Sequence, residues 1–221
     1  MGLSYEDKKQ ILARVDHTIL QPAAGWEDVR KVCDEAARWG CASVCIPPSY
    51  VERVRKYAPD SLAVCTVIGF PNGYSSSETK AFETHEAIIK GADEVDVVIN
   101  IGDVKDGRYD DVSRELDCVR AASASKVMKV IIECCLLDDA EKVRLCDIVS
   151  ASGADFIKTS TGFSKGGARI EDVRLLHEHV KPGVLVKAAG GIATFEDASA
   201  MIAAGASRLG TSRLVRLMDE D

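Results

Sequence analysis

Short apolar runs recur along the chain, each followed by a stretch with helical spacing of its apolar residues. The runs begin near Arg14, Ser43, Ala63, Glu94, Val127, Phe156, Leu185 and Arg208. Each run after the first follows its predecessor by roughly 20–33 residues, the length of one βα unit. Between the first two runs, Trp26, Val29, Val32, Cys33, Ala36 and Ala37 recur at three- and four-residue steps and mark one apolar helix face. Asp138 with Glu141, and Thr194 with Asp197, have the spacing of capping boxes at helix starts. Gly91, Gly153 and Gly205 each follow a helical stretch and precede a small residue and then a strand. That is the place of a left-handed glycine at a helix end. The junctions Gly91-Ala92-Asp93, Gly153-Ala154-Asp155 and Gly205-Ala206-Ser207 form a weak internal repeat.

Eight βα units close most naturally into an α/β (β/α)8 TIM barrel. No low-complexity linker interrupts the series, so residues 1–221 read as a single (β/α)8 barrel domain. An open doubly wound sheet is the alternative. It would usually carry a glycine-rich nucleotide loop after its first strand, and none follows Val15. In a barrel, catalytic groups gather at the carboxyl ends of the strands.

Composition narrows the function. The net charge of −7 argues against a nucleic-acid surface, and it requires any anionic ligand to be met by local donors. None of the eight cysteines shows C-x-x-C spacing, and Cys45 and Cys65 fall within apolar runs. They read as reduced thiols in a cytoplasmic protein. The vicinal Cys134-Cys135 reads as ordinary packing. The segment Met1–Lys8 has no apolar signal core, and no later run is long enough to span a membrane.

Two lysines end apolar runs just before small residues and glycine: Lys158 in Phe156-Ile157-Lys158-Thr159-Ser160-Thr161-Gly162, and Lys187 in Val184-Leu185-Val186-Lys187-Ala188-Ala189-Gly190-Gly191. They are one βα unit apart, which places them on adjacent strands spaced about 4.8 Å. Two neighbouring ammonium groups are expected to depress each other's pKa, and a neutral amine attacks carbonyl carbon. Two lysines at a barrel rim could also be snorkelling side chains, but the repeated glycine turn favours chemistry. Asp96, inside Glu94-Val95-Asp96-Val97-Val98-Ile99-Asn100, is costly to bury unless paired. An inward Asp96 would meet a lysine, and an outward one a helix. Asp16 ends the first strand and could join the same cluster. His17 reads as a structural hydrogen-bonder, and His85, His177 and His179 as surface residues on helices. Glu133 either faces the barrel mouth or caps a loop. Three glycine turns, Thr161-Gly162, Gly190-Gly191 and Gly210-Thr211-Ser212, follow the last three strands, where barrels often hold phosphate.

The motifs Asp16-His17-Thr18, Glu94-Val95-Asp96-Val97-Val98, Phe156–Gly162 and Val186–Gly191 resemble the deoxyribose-phosphate aldolase family, in order and spacing, over nearly the whole chain. The resemblance implies a Schiff-base aldolase with no metal and no cofactor. Such an enzyme reversibly cleaves 2-deoxy-D-ribose 5-phosphate to D-glyceraldehyde 3-phosphate and acetaldehyde. It implies that Lys158 is the Schiff-base lysine, Lys187 the lysine that tunes it, Asp96 the proton-relay acid and Asp16 a secondary member of the relay. It further implies that Cys45, Thr18 and Thr161 line the substrate, and that Gly162, Gly190, Gly191, Gly210 and Ser212 hold its phosphate. The implied partners are a small sugar phosphate and an aldehyde, with pairing into a homodimer and no nucleic acid or membrane. The chain departs from the pattern after Gly162, where some members carry a lysine and this chain has Phe163; Lys165 is the nearby cation that could substitute. Cys134 stands where a threonine is often found. Two other readings compete: a Schiff-base aldolase or transaldolase for another sugar phosphate, and a non-catalytic barrel that senses sugar phosphates. The second would have no need of two lysines.

Overall fold

Eight parallel strands close on themselves in a computed structural model that describes residues 3–220. The strands are β1 (Val15–Thr18), β2 (Ser43–Ile46), β3 (Ala63–Ile68), β4 (Glu94–Val98), β5 (Val127–Ile131), β6 (Phe156–Lys158), β7 (Leu185–Ala189) and β8 (Ala206–Thr211). Their order around the ring is the chain order, and β8 pairs with β1 through Val15–Leu209, Asp16–Gly210 and His17–Thr211. The spacing of apolar runs therefore located every strand, the largest error being two residues at β8. Helix α1 (Tyr5–Leu12) precedes the barrel, opened by a capping box between Ser4 and Asp7. The remaining helices are α2 (Trp26–Trp39), α3 (Val51–Tyr57), α4 (Ser77–Ile89), α5 (Ile101–Lys105), α6 (Tyr109–Ala122), α7 (Asp139–Ala151), α8 (Ile170–His179), α9 (Phe195–Ala203) and α10 (Leu214–Glu220). Among the described residues, no helix is long and apolar enough to cross a membrane.

The helix signals read from the sequence are present. Asp138 with Glu141 and Thr194 with Asp197 form reciprocal capping boxes. Gly91, Gly153 and Gly205 take φ values of 102°, 74° and 114° at the predicted helix ends. On α2, Val29, Cys33 and Ala36 are buried while Trp26 and Val32 pack at the margin. Ala37 is exposed, because one step of about 100° beyond Ala36 turns it off the stripe.

Alternation along the strands divides the buried residues into two sets. Outward residues such as Val15, Val44, Val64, Val95, Val130, Ile157 and Ala188 join the main core between sheet and helices. Complete burial of each large apolar side chain there contributes about 1.5–3 kcal/mol. The barrel interior holds a different population: a small apolar cluster of Cys45, Cys65 and Val67, and a set of charged side chains. The outer core thus supplies the hydrophobic stabilisation and leaves the interior free for polar groups.

One buried ion pair outside the barrel anchors the strand that carries Asp96. Lys80 on α4 donates to Glu115 on α6 at 2.5 Å and to the carbonyl of Val98, the last residue of β4, at 2.8 Å. Burial pushes the Lys80 pKa down and the Glu115 pKa up, and the pairing opposes both shifts. Lys80→Met should therefore cost about 3–5 kcal/mol in urea unfolding, because it strands a buried carboxylate. Lys80→Met combined with Glu115→Leu should recover most of that loss. Equal losses in the single and double variants would show that the pair is not what anchors this region.

Candidate active site

Strand register sets the site. Lys158 on β6 is the direct neighbour of Lys187 on β7, and Asp96 on β4 is the direct neighbour of Lys129 on β5. Between β7 and β8 the register shifts: Val186 pairs with Ala206, but Lys187 pairs with Arg208. A bulge of this kind re-aims side chains, and here it leaves Lys187 and Arg208 directed together into the barrel.

Inside the barrel, Asp96 accepts from three ammonium groups. Its Oδ1 receives Lys129 at 2.8 Å, and its Oδ2 receives Lys158 at 2.7 Å and Lys187 at 2.6 Å. Lys187 also donates to Asp16. Arg208 donates to Asp16 at 2.7 Å and to Glu94 at 3.1 Å, and Lys129 lies 2.6 Å from Glu94. The cluster thus brings together four cations (Lys129, Lys158, Lys187 and Arg208) and three carboxylates (Asp16, Glu94 and Asp96). Lys158 has one carboxylate partner, Asp96, whereas each of the other cations touches at least two.

Burial opposes ionisation throughout the cluster, yet pairing outweighs it. Desolvation would raise Asp96, but Lys129, Lys158 and Lys187 hold it well below the usual carboxylate range. Asp16 is likewise burdened by burial and is lowered by Lys187, Lys129 and Arg208. Desolvation disfavours the Lys187 ammonium, but Asp16 and Asp96 raise its pKa above that of a free lysine. Lys129 is raised well above its ordinary value in the same way, against its own burial and chiefly by Asp96. The expectation that the two strand-end lysines depress each other fails for Lys187, because carboxylates stand between the cations and dominate.

Lys158 lies on the wall of a cavity of about 290 Å³ at the carboxyl ends of the strands. Thr18, Thr161, Gly162, Gly190, Gly191, Gly210 and Ser212 line the same cavity. Asp16, Asp96 and Lys187 lie behind the wall, fully buried. Cys45 is also off the wall, 1% exposed and packed with Cys65, Val67, Leu20 and Phe70. A hydrogen bond from Cys65 lowers the Cys45 pKa despite burial.

The glycine turns are close-packed. Gly162 and Gly190 have φ of 82° and 84°, and a Cβ on Gly190 would stand 3.1 Å from the Cα of Gly167 and 3.3 Å from that of Gly162. Gly210 is required for space: a Cβ there would approach Ala189 Cβ to 2.9 Å and Lys187 Cε to 3.3 Å. Gly210 thereby makes room for a charged side chain as well as lining the cavity.

Glu133 resolves its two sequence readings in favour of loop capping. At φ of 55°, its carboxylate accepts from the Thr161 hydroxyl at 2.5 Å and from the Thr161 backbone N–H at 3.2 Å. The Thr161 oxygen in turn accepts from Phe163 N–H at 3.0 Å, so Thr161 shapes the β6 loop while lining the cavity. His17 points outward and bonds Glu35 at 2.8 Å, and burial pushes its pKa down. His85, His177 and His179 are exposed on α4 and α8. Lys165 is not on the wall of the cavity; it lines an adjoining depression that shares Gly191 with it, beside Cys135, Lys142 and Asp172.

Sequence reasoning passed over Lys129, Glu94 and Arg208. The signal was available for Lys129, a charged residue at an inward position of the apolar run Val127–Ile132, directly opposite Asp96. Two groups of ligand-type atoms, Cys45-Cys65-Asp96 and Asp16-Cys65-Glu94, each lie within 4.8 Å of one another. The Lys129 ammonium is bonded to members of both groups, 3.3 Å from Cys65 Sγ, 2.8 Å from Asp96 and 2.6 Å from Glu94.

Comparison with known proteins agrees with this geometry. Residues 10–213 match the family model described as DeoC/LacD family aldolase. The chain is 51% identical over 213 residues to the deoxyribose-phosphate aldolase of Clostridioides difficile strain 630, covering 96% of this chain and 97% of that protein. It is 50% identical over 213 residues to the deoxyribose-phosphate aldolase of Streptococcus pyogenes serotype M4, covering 96% of each chain. Among solved structures, the tetrameric deoxyribose phosphate aldolase of Aeropyrum pernix superposes with a TM-score of 0.87 at 34% identity, over 99% of this chain and 98% of that one. A barrel with paired lysines on adjacent strands, matched over almost its full length, belongs to the DeoC/LacD family of aldolases.

Proposed function

We propose that this chain cleaves 2-deoxy-D-ribose 5-phosphate reversibly to D-glyceraldehyde 3-phosphate and acetaldehyde through a Schiff base on Lys158. The observation that carries the reading is the position of Lys158: its amine is on the cavity wall, tied to a buried carboxylate that also holds Lys187. Attack by the neutral amine on the C1 aldehyde of the open-chain sugar, followed by loss of water, forms an iminium. The C3 hydroxyl then loses its proton, the C2–C3 bond breaks, and the bonding electrons pass into the iminium. Glyceraldehyde 3-phosphate leaves and an enamine remains. Protonation at C2 and hydrolysis release acetaldehyde and return the amine.

The charge pattern suits these steps. The cluster has one more cation than it has carboxylates, so a neutral Lys158 leaves it balanced. The iminium restores the positive charge opposite Asp96, and the enamine removes it again. Conversion of iminium to enamine therefore relieves the excess of positive charge in a poorly solvated interior. Asp96, bonded to the Lys158 amine, and Lys187, bonded to the same Asp96 oxygen, are the groups for proton movement, a role that typically contributes about 10²–10⁴-fold. Asp16 keeps Lys187 cationic. Thr18 and Thr161 line the sugar, and Cys45 packs behind them. Backbone N–H groups at Gly162, Gly190, Gly191 and Gly210, with the Ser212 hydroxyl, receive the phosphate. Phosphorylated sugars are met inside cells, which is the ground for proposing a cytoplasmic location.

Lys158→Ala should abolish borohydride trapping of acetaldehyde, read as loss of the mass increment on the peptide that carries residue 158. Trapping at another lysine in the variant would contradict the assignment.

The pKa shifts also fix a pH dependence. A lowered carboxylate contributes stability above its unfolded pKa of about 3.9, and that contribution is lost as pH falls toward the folded value. The stability difference between the protein and Asp16→Asn should therefore stay level from about pH 5 to pH 9 and narrow below about pH 4. Urea midpoints across this range provide the check. A difference that changes between pH 5 and 9 would mean that Asp16 titrates there and is not held ionised.

A further inference from the structure

The phosphate reading leaves a charge unaccounted for. A phosphate monoester carries about −1.5 to −2 charge at neutral pH. The protein carries −7, so its overall field does not favour such a ligand. The cavity supplies glycine backbone and hydroxyls, and its charged lining consists of Lys158 and Arg213, with no carboxylate. Lys158 is bound to Asp96 and is needed for the carbonyl. The position after Gly162 holds Phe163, whose ring packs edge-on against Phe70 at 5.2 Å between centroids. Lys165, the cation that could have replaced a lysine there, lines the other depression, where Asp172 pairs with Lys142.

We infer that the guanidinium of Arg213 is the side-chain cation that binds the substrate phosphate. The inference rests on the reading of the cavity as a sugar-phosphate site and names the group that confers its preference for the phosphorylated sugar. Among the described residues, no carboxylate pairs with Arg213. The side chain is exposed, while its backbone is fixed. Its N–H donates to Thr211 Oγ1 at 3.2 Å, and that hydroxyl donates to the carbonyl of Ile192 at 2.8 Å. The β7 and β8 loops, which carry Gly190, Gly191 and Ser212, are thereby tied at the root of Arg213. Bringing an arginine with no acid partner to a phosphate breaks no existing ion pair. Its planar fork can also give two parallel hydrogen bonds to phosphate oxygens, which a lysine cannot reproduce.

The test compares kcat and KM for 2-deoxyribose 5-phosphate and for 2-deoxyribose in the wild type, Arg213→Gln, Arg213→Lys and Lys165→Gln. Arg213→Gln should lower the preference for the phosphorylated sugar by about 10- to 100-fold, the range for a charged hydrogen-bonding group, mainly through KM. Arg213→Lys should recover part of it, and Lys165→Gln should keep the wild-type preference. Inorganic phosphate provides a readout independent of turnover: it should raise the melting temperature of the wild type and have much less effect on Arg213→Gln. Equal losses on both sugars, or an undiminished phosphate effect in Arg213→Gln, would overturn the assignment to Arg213. Failure of the sugar-phosphate reading itself would look different. The wild type would then not cleave 2-deoxyribose 5-phosphate, and the phosphate-dependent shift would still report on Arg213.

Discussion

The carboxylate of Asp96 is the joint on which the interior of this barrel depends. Three ammonium groups from three strands converge on its two oxygens, in a space where even one unpaired ion costs several kcal/mol. No member of that set is tolerable alone. Asp96 balances the lysines, Asp16 and Glu94 balance what Asp96 leaves over, and Arg208 closes the loop between them. The result is a buried polar network that fixes four cations and three anions in one arrangement. The hydrophobic stabilisation comes from the separate core outside the sheet. That division lets the interior be specialised for chemistry rather than for packing.

Small backbone features place the charges. The register shift at Val186/Lys187 aligns Lys187 with Arg208, and the missing Cβ of Gly210 leaves room for the Lys187 stem. Glu133 holds Thr161, and Thr161 holds the loop after Lys158. Lys80 holds the end of β4 behind Asp96. Glu133 and Lys80 act on the site without lining it, whereas Gly210 and Thr161 line the cavity and also place its charged groups and loops.

The barrel was legible because its strands alternate with helices at a regular spacing, and because capping residues mark the helix ends. Lys158 and Lys187 were legible because each interrupts an apolar run and is followed by a glycine turn. Asp96 stood out by the cost of burying it. Lys129 carried the same interruption but no glycine behind it, since it lies one layer below the strand end. Glu94 and Arg208 stand near the starts of strands and read as ordinary edge charges. Their roles come from barrel closure, which joins Lys187 to Asp96 across 91 positions and Asp16 to Arg208 across 192, contacts that no local pattern records. For the same reason the expected mutual depression of the two lysines did not hold for Lys187: the intervening carboxylates come from strands far away in sequence. Arg213 was hidden by its position after the last glycine turn, where a charged residue looks like the start of a surface helix.

The account stands on Lys187 and Lys129 remaining cations, held by Asp96 and its neighbours. Nitrogen-15 NMR of the protein labelled at lysine Nζ, followed with pH, observes those charges directly. The account predicts that the Lys187 and Lys129 resonances keep ammonium shifts up to at least about pH 10, near where a free lysine titrates, and that Asp96→Asn moves the Lys187 transition downward. Deprotonation of Lys187 below about pH 9 in the unaltered protein would contradict it.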